Sequence, residues 1–302
     1  MDMPRIIPLD LNFQGVAGVI AAYLLPHAKG AALIESGPGS TRDNLTRRLA
    51  EHGLKPTDIS DVFVTHIHLD HAGAAGWLAH QGARIHVHPA GATHLADPTK
   101  LLASAARIYG DQMDTLWGEF LAVPKERLSI LQDGKRVNLP GFSVLPVDSP
   151  GHANHHMVYF YEGVCFSGDV GGVRLGGMKA LRVPMPPPEF HLETWRATLK
   201  KITALKPRAI VPTHFGIYDD PDWHLATLGQ YLDQIEDWMA SHLANGSSPE
   251  NIRAEFNAWV KSWDEKDGLQ GWSAQAYELA NPTHMSLDGM QRYWRKYRGV
   301  QN

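Results

Sequence analysis

The chain is predicted to fold as an α/β protein followed by an α-helical C-terminal region. Three patterns predict it. Short apolar β-like runs alternate with amphipathic helical stretches through the first third of the sequence. Four β-like runs then follow one another between Ser129 and Asp169. Beyond Tyr218 the pattern is helical and carries Trp223, Trp238, Trp259, Trp263, Trp272 and Trp294. Alternation of strand and helix makes a layered α/β architecture, with helices covering the apolar faces of sheets.

From Val19 the stretch VIAAYLLPHAKGAALIESGPG reads as two strands turning near Lys29 and Gly30 and ending in a Gly/Pro loop, a β-hairpin. STRDNLTRRLAEHG has capping residue types at its start, apolar Leu45 and Leu49, and a closing glycine, so it reads as an amphipathic helix. ISDVFVTH is a short buried strand, AGAAGWLAHQG a short helix and RIHVHP another strand. Residues 90–123 are helical in pattern and rich in large side chains. LSILQDGKRVNL, FSVLPVD, HHMVYFY and VCFSGD are the four successive β-like runs, separated by turn residues. ETWRATLKKITALKP returns to helix, and RAIVPTHFG to strand and loop. There is no internal repeat and no low-complexity tract.

With 302 residues, 43% of them apolar and 20% charged, the composition is that of a globular protein able to bury a sizeable core. A formal net charge of -4 gives no electrostatic reason to expect a nucleic-acid partner. The single cysteine, Cys165, excludes an internal disulfide framework and a cysteine-rich zinc site, and it fits a reducing compartment. MDMPRIIPLD has no basic region followed by an apolar stretch, and no run reaches the roughly 18 apolar residues of a spanning helix. A cytoplasmic location without membrane association is therefore expected. Histidine is the outlier at 17 residues, and it is the side chain best suited to metal ligation and proton transfer near neutral pH.

The histidines are concentrated in THIHLDHAG, Thr65 to Gly73, directly after the apolar run DVFVT. His66 and His68, two apart at a strand end, project from one side of an extended backbone and can grip one metal. Asp70 and His71, reached as the chain turns into the next helix, offer a carboxylate and an imidazole to a second metal nearby, for which zinc, iron and manganese all suit. Core packing gives no reason for this cluster. His152 in DSPGHANHH, Asp169 in FSGDVGG and His214 in VPTHFG each follow a β-like run, where a rigid α/β scaffold presents functional side chains.

His-x-His-x-Asp-His, Pro-Gly-His, Ser-Gly-Asp and Thr-His-Phe-Gly, in this order, resemble the metallo-β-lactamase-fold hydrolases over about residues 15–216. GVIAAYLL, LIESGPG and PTHFG resemble most a prokaryotic branch near the glyoxalase II-like and lactonase-like enzymes. The resemblance implies a four-layer αββα sandwich as a catalytic domain over 1–216, with 90–124 as a helical cap and 217–302 as a C-terminal helical appendage. It implies a first metal held by His66, His68 and His152, a second held by Asp70, His71 and His214, and Asp169 bridging the two. Two divalent ions are expected, zinc first, with iron or manganese as alternatives. Asp70 is expected to be catalytic as well, orienting the nucleophile or carrying its proton.

The implied reaction is attack of a metal-bridging hydroxide on an ester-like bond of a small molecule, thioester or lactone first. The alternatives are phosphodiester hydrolysis, persulfide oxidation on a single iron bound by His66, His152 and Asp169, and a metal-binding regulatory module without activity. The complete Asp70–His71 pair resembles thioesterases, lactonases and phosphodiesterases more than β-lactamases. The acyl-homoserine lactonases carry a tyrosine three positions after the bridging aspartate, where this chain has Gly172. Of His155 and His156, one is expected to orient a ligand and the other to pack in its strand. His86, His88 and His94 are expected to pack in strand and loop, and Cys165 as a small apolar residue. Tyr109, Met113, Trp117 and Phe120 recur at helical spacing; core or dimer packing explains them, and so does a cap over an apolar acyl group, with Tyr109 and Trp117 in the pocket. RVPMPPPEF is expected to be a wall or a connection, and RYWRKYRG a solvated helix end. Aromatics in the C-terminal helices are compatible with a homodimer.

Overall fold

Side-chain alternation along the central strands decides the layering. In Ala21–His27, Ala22 and Leu24 enter a core shared with the helices of the N-terminal half, while Ala21, Tyr23 and Leu25 enter a core between two sheets. In Met157–Tyr161, Val158 and Phe160 face the helices that follow, and Met157, Tyr159 and Tyr161 face the other sheet. Period-two alternation with both faces apolar requires helices outside and a second sheet inside. The computed structural model, which describes residues 3–243 and 249–299, is that αββα sandwich. Part of the sequence-predicted helical region, 244–248 and 300–302, lies outside the described residues.

The elements in chain order are β1 (Ile7–Asp10), β2 (Ala21–His27), β3 (Gly30–Ile34), α1 (Arg42–Glu51), β4 (Ile59–Phe63), α2 (Leu69–Ala72), α3 (Ala75–His80) and β5 (Arg84–Val87). Next come α4 (Pro89–Ala96), α5 (Thr99–Tyr109), α6 (Met113–Trp117), β6 (Leu128–Ile130), β7 (Val137–Leu139), β8 (Phe142–Asp148), β9 (Met157–Tyr161) and β10 (Val164–Phe166). The chain continues with α7 (Leu192–Ala204), β11 (Ala209–Val211), α8 (Pro221–Leu243), α9 (Pro249–Lys266), α10 (Trp272–Ala280) and α11 (Thr283–Tyr293). The first sheet runs β1 to β6 in order, antiparallel through β3 and parallel from β3 to β6; the second has the order β11-β10-β9-β8-β7, with β10 and β11 parallel. Helices α8, α9 and α11 share a core with α7 and the outer face of the second sheet, so they thicken its outer layer, whereas Ala276 and Tyr277 of α10 join the core of the N-terminal half. No helix among the described residues is long and apolar enough to cross a membrane.

Four local expectations need correction. LSILQDGKRVNL is not one strand: β6 edges the first sheet and β7 the second, and the turn between them holds Gly134 at φ 71°. The helical pattern at 90–123 ends at Trp117, because Gly118 leaves the helix at φ 63°, and Phe120 is buried from an extended segment. Ser40 and Thr41 do not cap α1; their hydroxyls donate to the carbonyls of Leu116 (2.6 Å) and Pro38 (3.0 Å), which docks α6 against the start of α1. Strand β1 is not predicted by the sequence, since its four residues carry too short a pattern.

The C-terminal helices are keyed to the proline-rich segment that follows Arg182. Arg182, itself buried, donates to Asp264 Oδ2 of α9 at 2.5 Å and to Glu278 Oε2 of α10 at 3.2 Å. Gly289 of α11 lies so close that a Cβ there would stand 1.8 Å from the Met185 carbonyl oxygen. Gly289→Ala is therefore expected to lower the unfolding free energy by about 1–3 kcal/mol, as overpacking does. Urea denaturation checks this, and an unchanged midpoint would mean that α11 has slack against the loop.

Candidate metal centre

Strands β4, β8, β10 and β11 all end at one edge of the sandwich, and the residues after those ends carry the candidate ligands. His66 and His68 follow β4, His152 follows β8, Asp169 follows β10 and His214 follows β11; Asp70 and His71 stand on α2. The two sheets are tied together beside them. The Tyr159 hydroxyl donates to the Val64 carbonyl at 2.6 Å, and the Met157 amide to the Thr65 carbonyl at 2.7 Å. Ala21 N–H likewise donates to the Thr213 carbonyl at 3.0 Å.

All seven sequence-predicted ligands converge. His68 Nδ1 lies 2.9 Å from His66 Nε2 and 3.0 Å from His152 Nε2, so three ring nitrogens face one point. Asp70 Oδ2 lies 3.5 Å from His71 Nε2 and 3.4 Å from His214 Nε2, the second group. Asp169 spans the two: Oδ1 is 3.2 Å from His71 Nε2 and 3.6 Å from His214 Nε2, and Oδ2 is 3.5 Å from His152 Nε2. His66, His68 and His152, then Asp70, His71 and His214, each form a cluster able to hold a metal ion, as do His66, His71 and Asp169.

The distal ring nitrogens show which lone pairs are free. His152 Nδ1 donates to the Pro184 carbonyl at 2.9 Å and His214 Nδ1 to the Val19 carbonyl at 3.0 Å, and a carbonyl can only accept. In their neutral forms both rings therefore present the Nε2 lone pair to the site. His71 Nδ1 donates to Glu35 Oε1 at 3.0 Å. The Thr65 hydroxyl donates to Glu35 Oε1 at 2.5 Å, so its oxygen receives His66 Nδ1–H at 3.0 Å. His71 Nε2, His214 Nε2 and Asp169 Oδ1 are buried with no hydrogen-bond partner in the chain. Buried polar atoms without partners, converging on shared points, fit metal ligands held in place by an outer shell.

The electrostatics fit as well. Burial pushes the imidazoles of His66, His68 and His152 down, His68 to about 3, which keeps them neutral and able to coordinate. Burial acts the same way on His71 and His214, but the carboxylates of Asp169 and Asp70 outweigh it and hold both above the usual histidine range. Burial likewise raises the Asp70 carboxyl, yet His71 and His214 bring it down to about 2. With Glu35, three carboxylates thus converge on rings whose neutral forms cannot balance them, a balance that bound divalent cations would supply.

Glu35 is not among the residues that the sequence singles out. It is fully buried at φ 66° and also accepts from the Thr213 hydroxyl at 2.9 Å and the Thr65 amide at 3.2 Å. The available signal was a carboxylate at the end of an apolar hairpin strand, since a buried charge must be paired. His156 lies behind the site, where its Nε2 accepts from the Asp169 amide at 3.2 Å. His155 faces the cavity and donates from Nε2 to Glu189 at 3.2 Å. His86 stacks on Phe63 and pairs with Asp61, and His88 accepts the Ala90 amide at the start of α4, both structural. His94, expected to pack, instead lines the cavity. Cys165 is buried, and burial pushes its thiol up.

Over the ligands opens a cavity of about 470 Å³ whose floor includes His68, Asp70, His152, Asp169 and His214. Tyr109 and Trp117 line it from the α5–α6 segment, and Pro186, Pro187, Pro188 and Glu189 form another wall. Met285 of α11 closes a third side and accepts a hydrogen bond from the Tyr109 hydroxyl at 3.4 Å on its sulfur.

Residues 15–214 match the metallo-beta-lactamase superfamily. The chain is 26% identical over 160 residues to the metallo-beta-lactamase fold-containing protein of Sulfurisphaera tokodaii, covering 52% of this chain and 60% of that one. It is 29% identical over 228 residues to the atrochrysone carboxyl ACP thioesterase of Aspergillus fumigatus, covering 72% of this chain and 58% of that one. The chain thus spans about three fifths of the length of these relatives. Its fold is like that of a metallo-beta-lactamase family protein from Thermus thermophilus, with a TM-score of 0.68 at 21% identity over 98% of this chain and 94% of the other. Since the family match takes in well over half of its residues, the chain belongs to the metallo-beta-lactamase superfamily.

Proposed function

We propose that the chain is a dinuclear-metal-dependent hydrolase acting on an ester-like bond, a thioester before a lactone. The observation that carries this is Asp169, whose two oxygens approach different nitrogen sets, His71 and His214 through one and His152 through the other. A carboxylate so placed suits two cations, and the nitrogens around it end at the floor of an open cavity. Two bound divalent ions, with zinc, iron and manganese all suited to nitrogen and oxygen donors, would supply a water acidified toward neutrality and a Lewis acid for a carbonyl oxygen.

The chain's own residues supply the rest. Asp70 lines the cavity and stays ionised at neutral pH, so its carboxylate can receive the proton of the attacking water. His152 and His214 are held by carbonyls on their far sides, which preserves their orientation through the reaction. A thioester fits this equipment because its thiolate departs without a general acid, a free thiol having a pKa of about 8.5. Leu101, Ile108, Leu116 and Trp117 give an acyl group an apolar surface. The fungal relative is named as a thioesterase, which supports the same class. Among the lining residues Lys100 is the one lysine or arginine, a poor match to the charge of a phosphodiester.

Asp169→Ala is expected to lose at least half of the bound metal after dialysis while the far-UV circular dichroism is kept; elemental analysis reads it, and two ions retained per chain would remove Asp169 from the site. Metal-loaded protein is expected to hydrolyse medium-chain acyl thioesters of N-acetylcysteamine faster than N-acyl homoserine lactones or bis-p-nitrophenyl phosphate. Asp70→Asn is expected to lower kcat by about 10²–10⁴-fold, the usual contribution of a positioned acid or base. Cleavage of the phosphodiester alone would overturn the thioesterase reading.

A further inference from the structure

Glu189 is a charged residue of the cavity wall that metal binding does not use. It follows three consecutive prolines, Pro186 to Pro188, which restrict the backbone before it. The segment is fastened on both sides. His152 donates to the Pro184 carbonyl at 2.9 Å, the Ser286 hydroxyl receives the Met185 amide at 3.4 Å, and Arg292 Nε donates to the Pro188 carbonyl at 3.3 Å. A side chain on such a wall has a fixed position relative to the ligands, and substrate recognition depends on that.

The carboxylate is half committed. Oε2 accepts from the Asn154 amide at 3.0 Å and from His155 Nε2 at 3.2 Å, whereas Oε1 has one long contact, from Asn154 Nδ2 at 3.4 Å. A carboxylate has about four acceptor positions, so Oε1 keeps capacity for a strong donor. The side chain is 29% exposed and lines the cavity, so a molecule in the cavity can contact the carboxylate. Burial raises its carboxyl, but His155 and the Asn154 amide bring it down to about 2, so the charge persists at neutral pH. His155 stands between Glu189 and the metal ligands, its ring centroid 5.7 Å from that of His68. A substrate group bonded to Oε1 therefore lies on the far side of His155 from the ligands, in the wall of the same cavity.

We propose that Glu189 is a specificity determinant: it selects substrates whose acyl group carries an O–H or N–H donor able to reach Oε1, and it rejects acyl groups carrying an anion. The selection rests on the hydrolase reading above. A donor completes a charge-assisted hydrogen bond to Oε1, an alkyl chain leaves that oxygen partly unpaired, and an anionic chain meets a like charge in a partly enclosed cavity of low dielectric.

The test compares N-acetylcysteamine thioesters of hexanoate, 3-hydroxyhexanoate, 6-hydroxyhexanoate and adipate on metal-loaded wild type and Glu189→Gln. Gln can keep the bonds from Asn154 and His155 while removing the charge. For the wild type, kcat/KM for the better hydroxyacyl thioester is expected to exceed that for the adipoyl thioester by tenfold or more, and in Glu189→Gln this ratio falls at least fivefold. An unchanged ratio overturns the proposal. Calorimetric titration with hexylammonium at pH 7 reads the same carboxylate without turnover, and the variant is expected to bind at least fivefold more weakly. If no thioester is cleaved but hexylammonium discriminates between the two proteins, the hydrolase reading fails and the recognition site stands. Equal binding by both proteins removes the site.

Discussion

The buried carboxylate of Glu35 is the interaction on which the rest of the centre depends. It lies at the end of β3 and gathers the Thr65 amide and hydroxyl after β4, the Thr213 hydroxyl after β11 and the His71 ring on α2. A buried carboxylate costs several kcal/mol unless its lone pairs are filled, so these donors cannot drift without exposing that cost. The left-handed backbone of Glu35 is itself unfavourable by about 1–3 kcal/mol, and it persists because four contacts overdetermine it. Three ligand-bearing segments from two different sheets are thereby held to one charge.

Around this anchor four of the five candidate ligand histidines are oriented from behind by a hydrogen-bond partner at the distal ring nitrogen. Carbonyls of Pro184 and Val19 take the distal protons of His152 and His214, Glu35 takes that of His71, and Thr65 receives that of His66. The Pro184 contact also joins the first nitrogen cluster to the proline-rich wall, so the segment that bounds the cavity orients His152 as well. Close backbone approach completes the assembly. Gly168, one residue before Asp169, has φ 49°, and a Cβ there would stand 2.6 Å from His156 Nε2 and 2.7 Å from the Thr65 hydroxyl oxygen. Glycine at that turn lets the Asp169 carboxylate enter between the two nitrogen clusters.

The α/β class, most of the helices and the order of the candidate-ligand motifs were legible in the sequence, because each is written locally, whereas the αββα layering entered only as what the family resemblance implied. His66, His68, Asp70 and His71 are dense enough to stand out from packing. What is not legible there has a different cause. Glu35 and Glu189 are ordinary residues in ordinary contexts, and their contacts are with partners 30 or more positions away; His94 joins a cavity that the fold alone assembles. The run LSILQDGKRVNL is β-like throughout, yet its two halves belong to different sheets because pairing partners, and not propensity, decide membership.

By itself the sequence determined the α/β class, the helical C-terminal region and the dense cluster His66, His68, Asp70 and His71, since residue type and short-range periodicity carry that information; the order of the family motifs added His152, Asp169 and His214 as candidate ligands. Only the tertiary structure decided that four strand ends meet at one edge of a sandwich, that Asp169 turns one oxygen to each nitrogen set, and that a proline-rich wall and the C-terminal helices enclose the space above them. Those relations depend on long-range strand pairing and on closely approaching backbones, and neither leaves a periodic mark on the chain.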